Sequence, residues 1–359
     1  MTIHDLDTPA LLIDLDVMER NLARIADYCA SSKLRLRPHT KTHKSIRIAK
    51  RQLELGAAGL SVAKTGEAQV MLGAEPRDLY LVYTVVGERK LERLVEVAGK
   101  TNLTIAFDSV AAAEPVSRAA DRAGVRIGVL AEVDVGLGRV GVQPNQAVDL
   151  VEALRKLPAL DWRGITFYPG HIKNQNDSHV AELSATVAGI VRDLRQAGLE
   201  PQIVSGGSTP LLFRSHDIDG LNEIRPGTYV FNDLNTIASG ACALEDCAAS
   251  VLATVVSTAR LGQMIIDGGS KTFSSDRLSS GEPGFGRVME APGAFFHRMM
   301  EEHGFVDLSR AERTFAVGDR VRVIPNHICV VVNLHEVCYG IRGEKVETCW
   351  NVEARGKLQ

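Results

Sequence analysis

The sequence predicts an α/β fold: a (β/α)8 barrel with a second, mostly β domain after it. Three observations predict this. Short apolar runs alternate with stretches of helical periodicity through the first two thirds of the chain, which is the pattern of parallel βαβ units. Eight such strands fit within about 190 residues, the count of a closed barrel rather than an open sheet. Beyond about residue 239 the alternation stops, and the chain reads as strands with few helices between them. An open, doubly wound sheet is the alternative architecture.

Composition agrees with a folded, two-domain chain. The 359 residues exceed the ~150 of one ordinary domain. At 45% hydrophobic and 24% charged residues, disorder and low-complexity architectures are excluded. The net charge is −3 and the basic residues are dispersed, so there is no electrostatic footprint for nucleic acid. No apolar run approaches the ~20 residues that span a bilayer. Met1-Thr2-Ile3-His4-Asp5 lacks the order of a signal peptide, which makes the cytoplasm the expected compartment. Six cysteines in so long a chain, none spaced C-x-x-C, do not suggest a disulfide scaffold or a four-cysteine zinc site.

In chain order, 10–14 reads as a strand and 17–29 as a helix with Met18, Leu22, Ile25 and Tyr28 on one face. Barrel strands are expected at 35–37, 59–61, 78–81, 103–107, 127–133, 164–168, 202–205 and 223–225, with helices at 91–98, 109–123 and 180–197 among the connections. The strand at 10–14 is then surplus to the barrel. The second domain is expected to hold strands at 251–259, 264–266, 320–324, 330–334, 337–341 and 345–350, with a hairpin over 339–348. Its expected core is Val321, Val323, Val330, Val332 and Val346. The Gly-, Ser- and Pro-rich stretch 273–304 reads as a long loop. The domain boundaries are placed at 12–239 for the barrel, and at 1–11 with 240–359 for the β domain.

Active sites of parallel barrels form at the C-terminal ends of the strands, so chemistry is sought there. The first barrel strand ends in Arg37-Pro38-His39-Thr40-Lys41-Thr42-His43-Lys44. A lysine among other cations and partly desolvated loses its proton readily and forms a Schiff base with an aldehyde. The plain alternative is a solvated basic loop. Tyr168-Pro169-Gly170-His171 follows the sixth strand. Ser205-Gly206-Gly207-Ser208-Thr209 follows the seventh, and bare backbone N–H groups there make an anion cradle for a phosphorylated cofactor. Gly136-Leu137-Gly138-Arg139-Val140-Gly141 matches G-x-G-x-x-G in letters only. It follows the fifth strand instead of opening the first βαβ unit, so a dinucleotide is not expected. Its role is to aim Arg139 into the barrel mouth. In Pro325-Asn326-His327-Ile328-Cys329, a strand would turn His327 and Cys329 to one side. Imidazole plus thiolate favours zinc, with positions left open for water and substrate. A satisfied histidine beside a buried cysteine is the plain alternative. His335 and Glu336 follow without a clear role.

These residues resemble the fold-type III pyridoxal phosphate (PLP) enzymes, the alanine-racemase-like barrels, and within them the D-threonine aldolase and D-serine dehydratase branch. The resemblance is carried by the 37–44 segment and by Thr8-Pro9-Ala10, Glu132-Val133-Asp134-Val135-Gly136, Arg139, Ser205-Gly206-Gly207-Ser208, Arg225-Pro226-Gly227-Thr228-Tyr229 and Pro325-Asn326-His327, in order along nearly the whole chain. It implies that Lys41 is the lysine joined to PLP as the internal aldimine. It further implies that the Ser205, Gly206 and Gly207 turn and Tyr229 hold the phosphate, and that Arg139 and Tyr168 lie by the pyridine ring. The surplus strand would join the C-terminal β domain, and the enzyme would be a homodimer. In this branch aldolases look like H-x-D, with manganese or magnesium, and dehydratases like H-x-C, with zinc. His327-Ile328-Cys329 sides with the dehydratases. The expected activity is ammonia elimination from a 3-hydroxy-D-amino acid such as D-serine or D-threonine, giving a 2-oxo acid. Retro-aldol cleavage to glycine and an aldehyde is the alternative. Racemisation has less support, because it needs no metal at Cβ. A non-catalytic PLP-binding barrel would not need a β domain.

Overall fold

The computed structural model describes residues Met1–Gln359. The chain forms two compact units. One comprises Arg24–Lys41, Ser45–Gly227 and Gly356–Gln359, and the other Met1–Ala23, Thr42–Lys44 and Thr228–Arg355.

After strand β1 (Ala10–Asp14) and helix α1 (Leu15–Ser31), eight strands alternate with helices. They are β2 (Arg35–Leu36), β3 (Leu60–Val62), β4 (Asp78–Leu81), β5 (Asn102–Phe107), β6 (Ile127–Glu132), β7 (Leu160–Thr166), β8 (Ile203–Gly206) and β9 (Glu223–Ile224). The helices between them are α2 (Ile46–Glu54), α3 (Thr65–Met71), α4 (Glu88–Ala98), α5 (Val110–Ala123), α6 (Ala147–Leu154) and α7 (Asp177–Gln196). The eight strands make one parallel sheet in the order β2-β9-β8-β7-β6-β5-β4-β3. A parallel bridge between His39 and Ser61 joins its two ends, so the sheet returns on itself. This is the (β/α)8 barrel that the βαβ alternation predicts.

The local reasons are visible in the residues. Both faces of a parallel sheet are covered, so its strands are apolar throughout. β6 is buried at every position, and β5 at all but Asn102. α7 buries Val180, Leu183, Val187, Ile190, Val191 and Leu194, one stripe at helical spacing. Its first turn is capped by the Asn176 side chain, which accepts the Ser178 N–H at 2.9 Å. Inside the barrel Tyr80, Ala106, Leu130 and Ile203 pack together.

The other unit adds α8 (Leu234–Ala238), β10 (Ala249–Ser257), β11 (Gln263–Ile266), α9 (Ser270–Phe273), β12 (Gly286–Val288), β13 (Phe295–Met299), β14 (Gly304–Asp307), β15 (Arg320–Pro325), α10 (Ile328–Leu334), β16 (Val337–Arg342) and β17 (Lys345–Asn351). Its sheet runs β13-β14-β11-β10-β1-β16-β17, with β15 between β10 and β12. β1 does lie in this sheet, antiparallel to β10 and parallel to β16. Leu11, Leu12 and Ile13 are completely buried there.

Three expectations for this unit are corrected. The stretch 273–304 is not one loop: it carries β12 and β13. Phe273 and Phe285 pack on Phe296 at centroid distances of 5.3 and 6.0 Å, so buried aromatics outweigh the loop-like composition. Residues 330–334 are helical, in α10. Ile328, Val331 and Val332 are buried, a spacing of 3.6 rather than 2, and this packing overrides the β-preference of the valines. As a result Val330 is exposed and Val346 only half-buried, whereas Val321, Val323 and Val332 are core.

Candidate active site

The segment after β2 is held by backbone bonds from both sides. His39 N donates to Pro226 O at 2.9 Å, and Thr40 N to Ser61 O at 2.9 Å. The chain then turns. His39, Thr40, Thr42, His43 and Lys44 are all buried, and Lys41 alone exposes its side chain. The desolvation expected around Lys41 is therefore not provided by its loop. Lys44, three residues on, has a left-handed backbone, φ 51°.

Arg139 and Tyr168 are brought together: the guanidinium lies 4.9 Å from the ring centroid. The loop that carries Arg139 is organised by Asp134. Its Oδ1 accepts the N–H groups of Gly136, Leu137 and Gly138 at 3.0, 2.9 and 3.1 Å. Those amides are the ones a dinucleotide pyrophosphate would need, so the dinucleotide reading fails for a physical reason.

The Ser205–Ser208 turn is buried. A Cβ on Gly206 would come within 2.3 Å of the Phe167 ring, and Gly207 has φ +85°. Only glycines allow this backbone. The Ser208 hydroxyl is buried with no hydrogen-bond partner. An orphaned hydroxyl beside a side-chain-free turn fits a phosphate group. Ser205 does not share that availability, since its hydroxyl is engaged in the barrel interior. It donates to Glu223 Oε1 at 2.7 Å and accepts from Arg225 Nη1 at 2.5 Å. Arg225 also donates to Phe167 O at 3.0 Å and lies 5.3 Å from the Tyr80 ring centroid. Glu223 Oε2 meets Arg37 Nε at 3.0 Å, and Arg37 Nη1 meets Asp78 Oδ1 at 2.5 Å. Glu132, at the end of β6, is buried, and burial holds its carboxyl above the ordinary range despite Arg225 and Arg139 nearby.

In the other unit Tyr229 is 2% exposed within a single turn, Thr228–Val230. His327 and Cys329 lie at the junction of β15 and α10, not on a strand as expected. They are brought together all the same, because the turn into the helix does what strand alternation was expected to do. Asp233 Oδ2 contacts His327 Nδ1 at 3.0 Å and accepts the Ile328 N–H at 3.0 Å. The Cys329 sulfur beside it, with Asp233, pushes His327 up to about 11, burial opposing. Cys329 Sγ lies 3.2 Å from Thr42 Oγ1 and 3.8 Å from Thr228 Oγ1. No group of three or more His, Cys, Asp or Glu side chains is gathered as a metal cage. His335 is engaged elsewhere, with Nε2 3.3 Å from Thr272 O. A carboxylate on Nδ1 that leaves Nε2 for a metal is the usual support of a ligating histidine. The pair therefore fits an open, two-ligand ion site.

Asp233 and Glu223 were not singled out in the sequence, and Glu132 and Arg225 were named there only among the residues that carry the resemblance, without a role. Glu223 and Arg225 carried a signal: two charges at i and i+2 on a buried barrel strand face one side. Asp233 carried none, because it reaches His327 across 94 positions of sequence.

A parallel barrel with this lysine turn and anion cradle, followed by a β-rich unit, is the architecture of a fold-type III PLP-dependent lyase. Residues 13–234 match the alanine racemase N-terminal domain and 248–341 a putative serine dehydratase domain. The chain is 31% identical to the 3-hydroxy-D-aspartate aldolase of Paracoccus denitrificans, covering 99% of this chain and 94% of that one. It is 34% identical to the D-threo-3-hydroxyaspartate dehydratase of a Delftia species, covering 91% and 92%. The crystal structure of D-threonine aldolase from Filomicrobium marinum superposes with a TM-score of 0.92 at 32% identity, covering 99% and 98%. A cysteine-to-alanine mutant of D-threo-3-hydroxyaspartate dehydratase, in its metal-free form, superposes with a TM-score of 0.88 at 30% identity, covering 98% of each chain. The chain belongs to the D-threonine aldolase and D-serine dehydratase branch of the alanine-racemase-like family.

Proposed function

We propose that the protein is a PLP- and zinc-dependent dehydratase of 3-hydroxy-D-amino acids, releasing ammonia and a 2-oxo acid. The observation that carries the dehydratase reading is Cys329 two residues after His327, where the aldolases of the branch resemble H-x-D. The metal-free form of the related dehydratase is a cysteine mutant, which agrees with a cysteine ligand. Relatives of both activities match at similar identity, so the choice rests on that residue.

The residues would divide the work as follows. Ser208, the amides of the Ser205–Gly207 turn and Tyr229 bind the cofactor phosphate, and Lys41 Nζ bonds its aldehyde carbon. Arg139 and Tyr168 flank the ring. His327 Nε2 and Cys329 Sγ hold the ion, with Asp233 keeping the proton on Nδ1. When bound, PLP supplies a sink for negative charge at Cα and zinc a Lewis acid for the β-hydroxyl, lowering the barrier for a poor leaving group by several kcal/mol. With the cofactor bound, Lys41 Nζ would be the base for the Cα proton, and the ion held by His327 and Cys329 would take the departing β-hydroxyl; the overall products would be the 2-oxo acid and ammonia.

Product analysis on D-threonine tests this reading. 2-Oxobutyrate and ammonia are expected. Glycine and acetaldehyde would replace it with the aldolase reading, which the close superposition on D-threonine aldolase favours.

A further inference from the structure

The segment between α9 and β12 takes no part in the proposed reaction, yet it is tied to the candidate ion site at three points. The buried Asn326 amide donates to Asp276 O at 3.0 Å and to Gly284 O at 2.8 Å. One side chain therefore closes both stems of a loop over 276–284. At the tip, Ser279 N donates to Asn235 Oδ1 at 2.7 Å, while residues 279–283 stand exposed.

The ties end on the residues that hold His327. Asn326 directly precedes it. The Asn326 carbonyl accepts the Asn235 N–H at 3.1 Å, and Asn235 follows the Asp233 that contacts His327 Nδ1 at 3.0 Å. The stems cannot shift without moving the peptide beside His327 or leaving buried polar groups unpaired. They also hold unusual backbone. Ser274, buried, has φ 66° and ψ −178°, a region used almost only by glycine. Gly284 has φ 111°. Strained backbone at one stem and a glycine at the other are what a hinged segment turns on.

We propose that the loop over 276–284 is a flap coupled to the ion site, with Asn326 as the positioning residue that joins the two. This rests on the reading of His327 and Cys329 as ion ligands. An ion that fixes His327 fixes the peptide before it. The Asn326 amide and both stems are then fixed as well, and the flap is ordered. The coupling is reciprocal: a flap freed from Asn326 leaves His327 less well placed and the ion less tightly bound. Asn235, which holds the tip and the Asn326 carbonyl together, is the second anchor.

Trypsin reads the flap, because Arg277 is exposed within it. The full-length, PLP-loaded enzyme is stripped of metal, titrated with zinc and digested briefly, and release of the fragment that begins at Leu278 is timed. In the native enzyme zinc is expected to slow that release about 5-fold or more. In Asn326→Ala release is expected to be fast with or without zinc, and zinc affinity, measured by dye competition, to fall about 10-fold. A merely structural amide would change the cleavage rate but not its dependence on zinc. Asn235→Ala, at a half-buried position, keeps the question open to experiment should the first variant not fold. It is expected to release the fragment faster than the native enzyme. Equal slowing by zinc in Asn326→Ala and the native enzyme would overturn the coupling, and native release rates in the variants would overturn the anchorage. Native enzyme that binds zinc with no slowing would overturn the flap and leave the ion site standing. No zinc bound by dye competition would overturn both.

Discussion

The Asp233 carboxylate holds His327 Nδ1 at 3.0 Å while its other oxygen accepts Thr236 N and Oγ1 at 2.8 and 2.7 Å. Both oxygens are occupied and the residue is fully buried, so the imidazole is held in one orientation, between Asp233 and Cys329. Asp233→Asn keeps the cap on α8 and removes the charge. It is expected to weaken metal binding about 10–100-fold, measured by competition with a chelating dye. Unchanged affinity would mean that His327 is not a ligand.

Cys329→Asp replaces a soft sulfur with a hard oxygen. Zinc affinity is expected to fall and relative manganese affinity to rise, as followed by metal titration of the apo-protein. An unaltered metal profile would remove Cys329 from the site.

Lys41→Ala is expected to lose the visible absorbance of lysine-bound PLP and to reduce turnover by at least about 10²–10⁴-fold, the range of a lost general base. Because Lys41 is exposed, its removal is expected to change stability by no more than about 0.5 kcal/mol. A normal spectrum in this variant would exclude the lysine.

Glu223→Leu behaves in the opposite way. Glu223 is 0% exposed and faces Arg37, itself 1% exposed. Removal of the Glu223 carboxylate leaves Arg37 with Asp78 alone and takes the acceptor from the buried Ser205 hydroxyl, at about 1–3 kcal/mol for a buried group left unsatisfied, above the cost of the exposed lysine. Urea unfolding curves of the two variants measure the contrast; equal midpoints would contradict it.

Glu132 has a folded pKa raised above its ordinary 4.5. A raised carboxyl contributes stability fully below the unfolded pKa and loses it as pH rises through the folded one. Glu132→Gln is therefore expected to gain stability relative to the parent as pH rises above about 4.3, until the folded carboxyl is ionised. A stability difference that does not vary with pH would contradict the burial argument.

Much of this was legible in the sequence, and the misses have physical causes. The barrel followed from periodicity, because parallel strands must be apolar on both faces. The lysine turn and the Gly-Gly turn were singled out because strand ends concentrate chemistry, and H-x-C because of its residue types and spacing. α10 was missed because Val330, Val331 and Val332 carry a strand preference that packing overrides. β12 and β13 were missed because short strands among glycines and prolines leave little alternation to read. Asp233 and the Arg37–Glu223 pair are long-range contacts, which no local pattern encodes.

The central claim is that a metal on His327 and Cys329 drives loss of the β-hydroxyl. The most direct measurement follows pyruvate release from D-serine before and after treatment with a strong chelator, with the PLP absorbance recorded throughout. Turnover that stops while the cofactor band persists, and that returns on adding zinc, is the predicted result. Undiminished pyruvate formation in metal-depleted enzyme would contradict it.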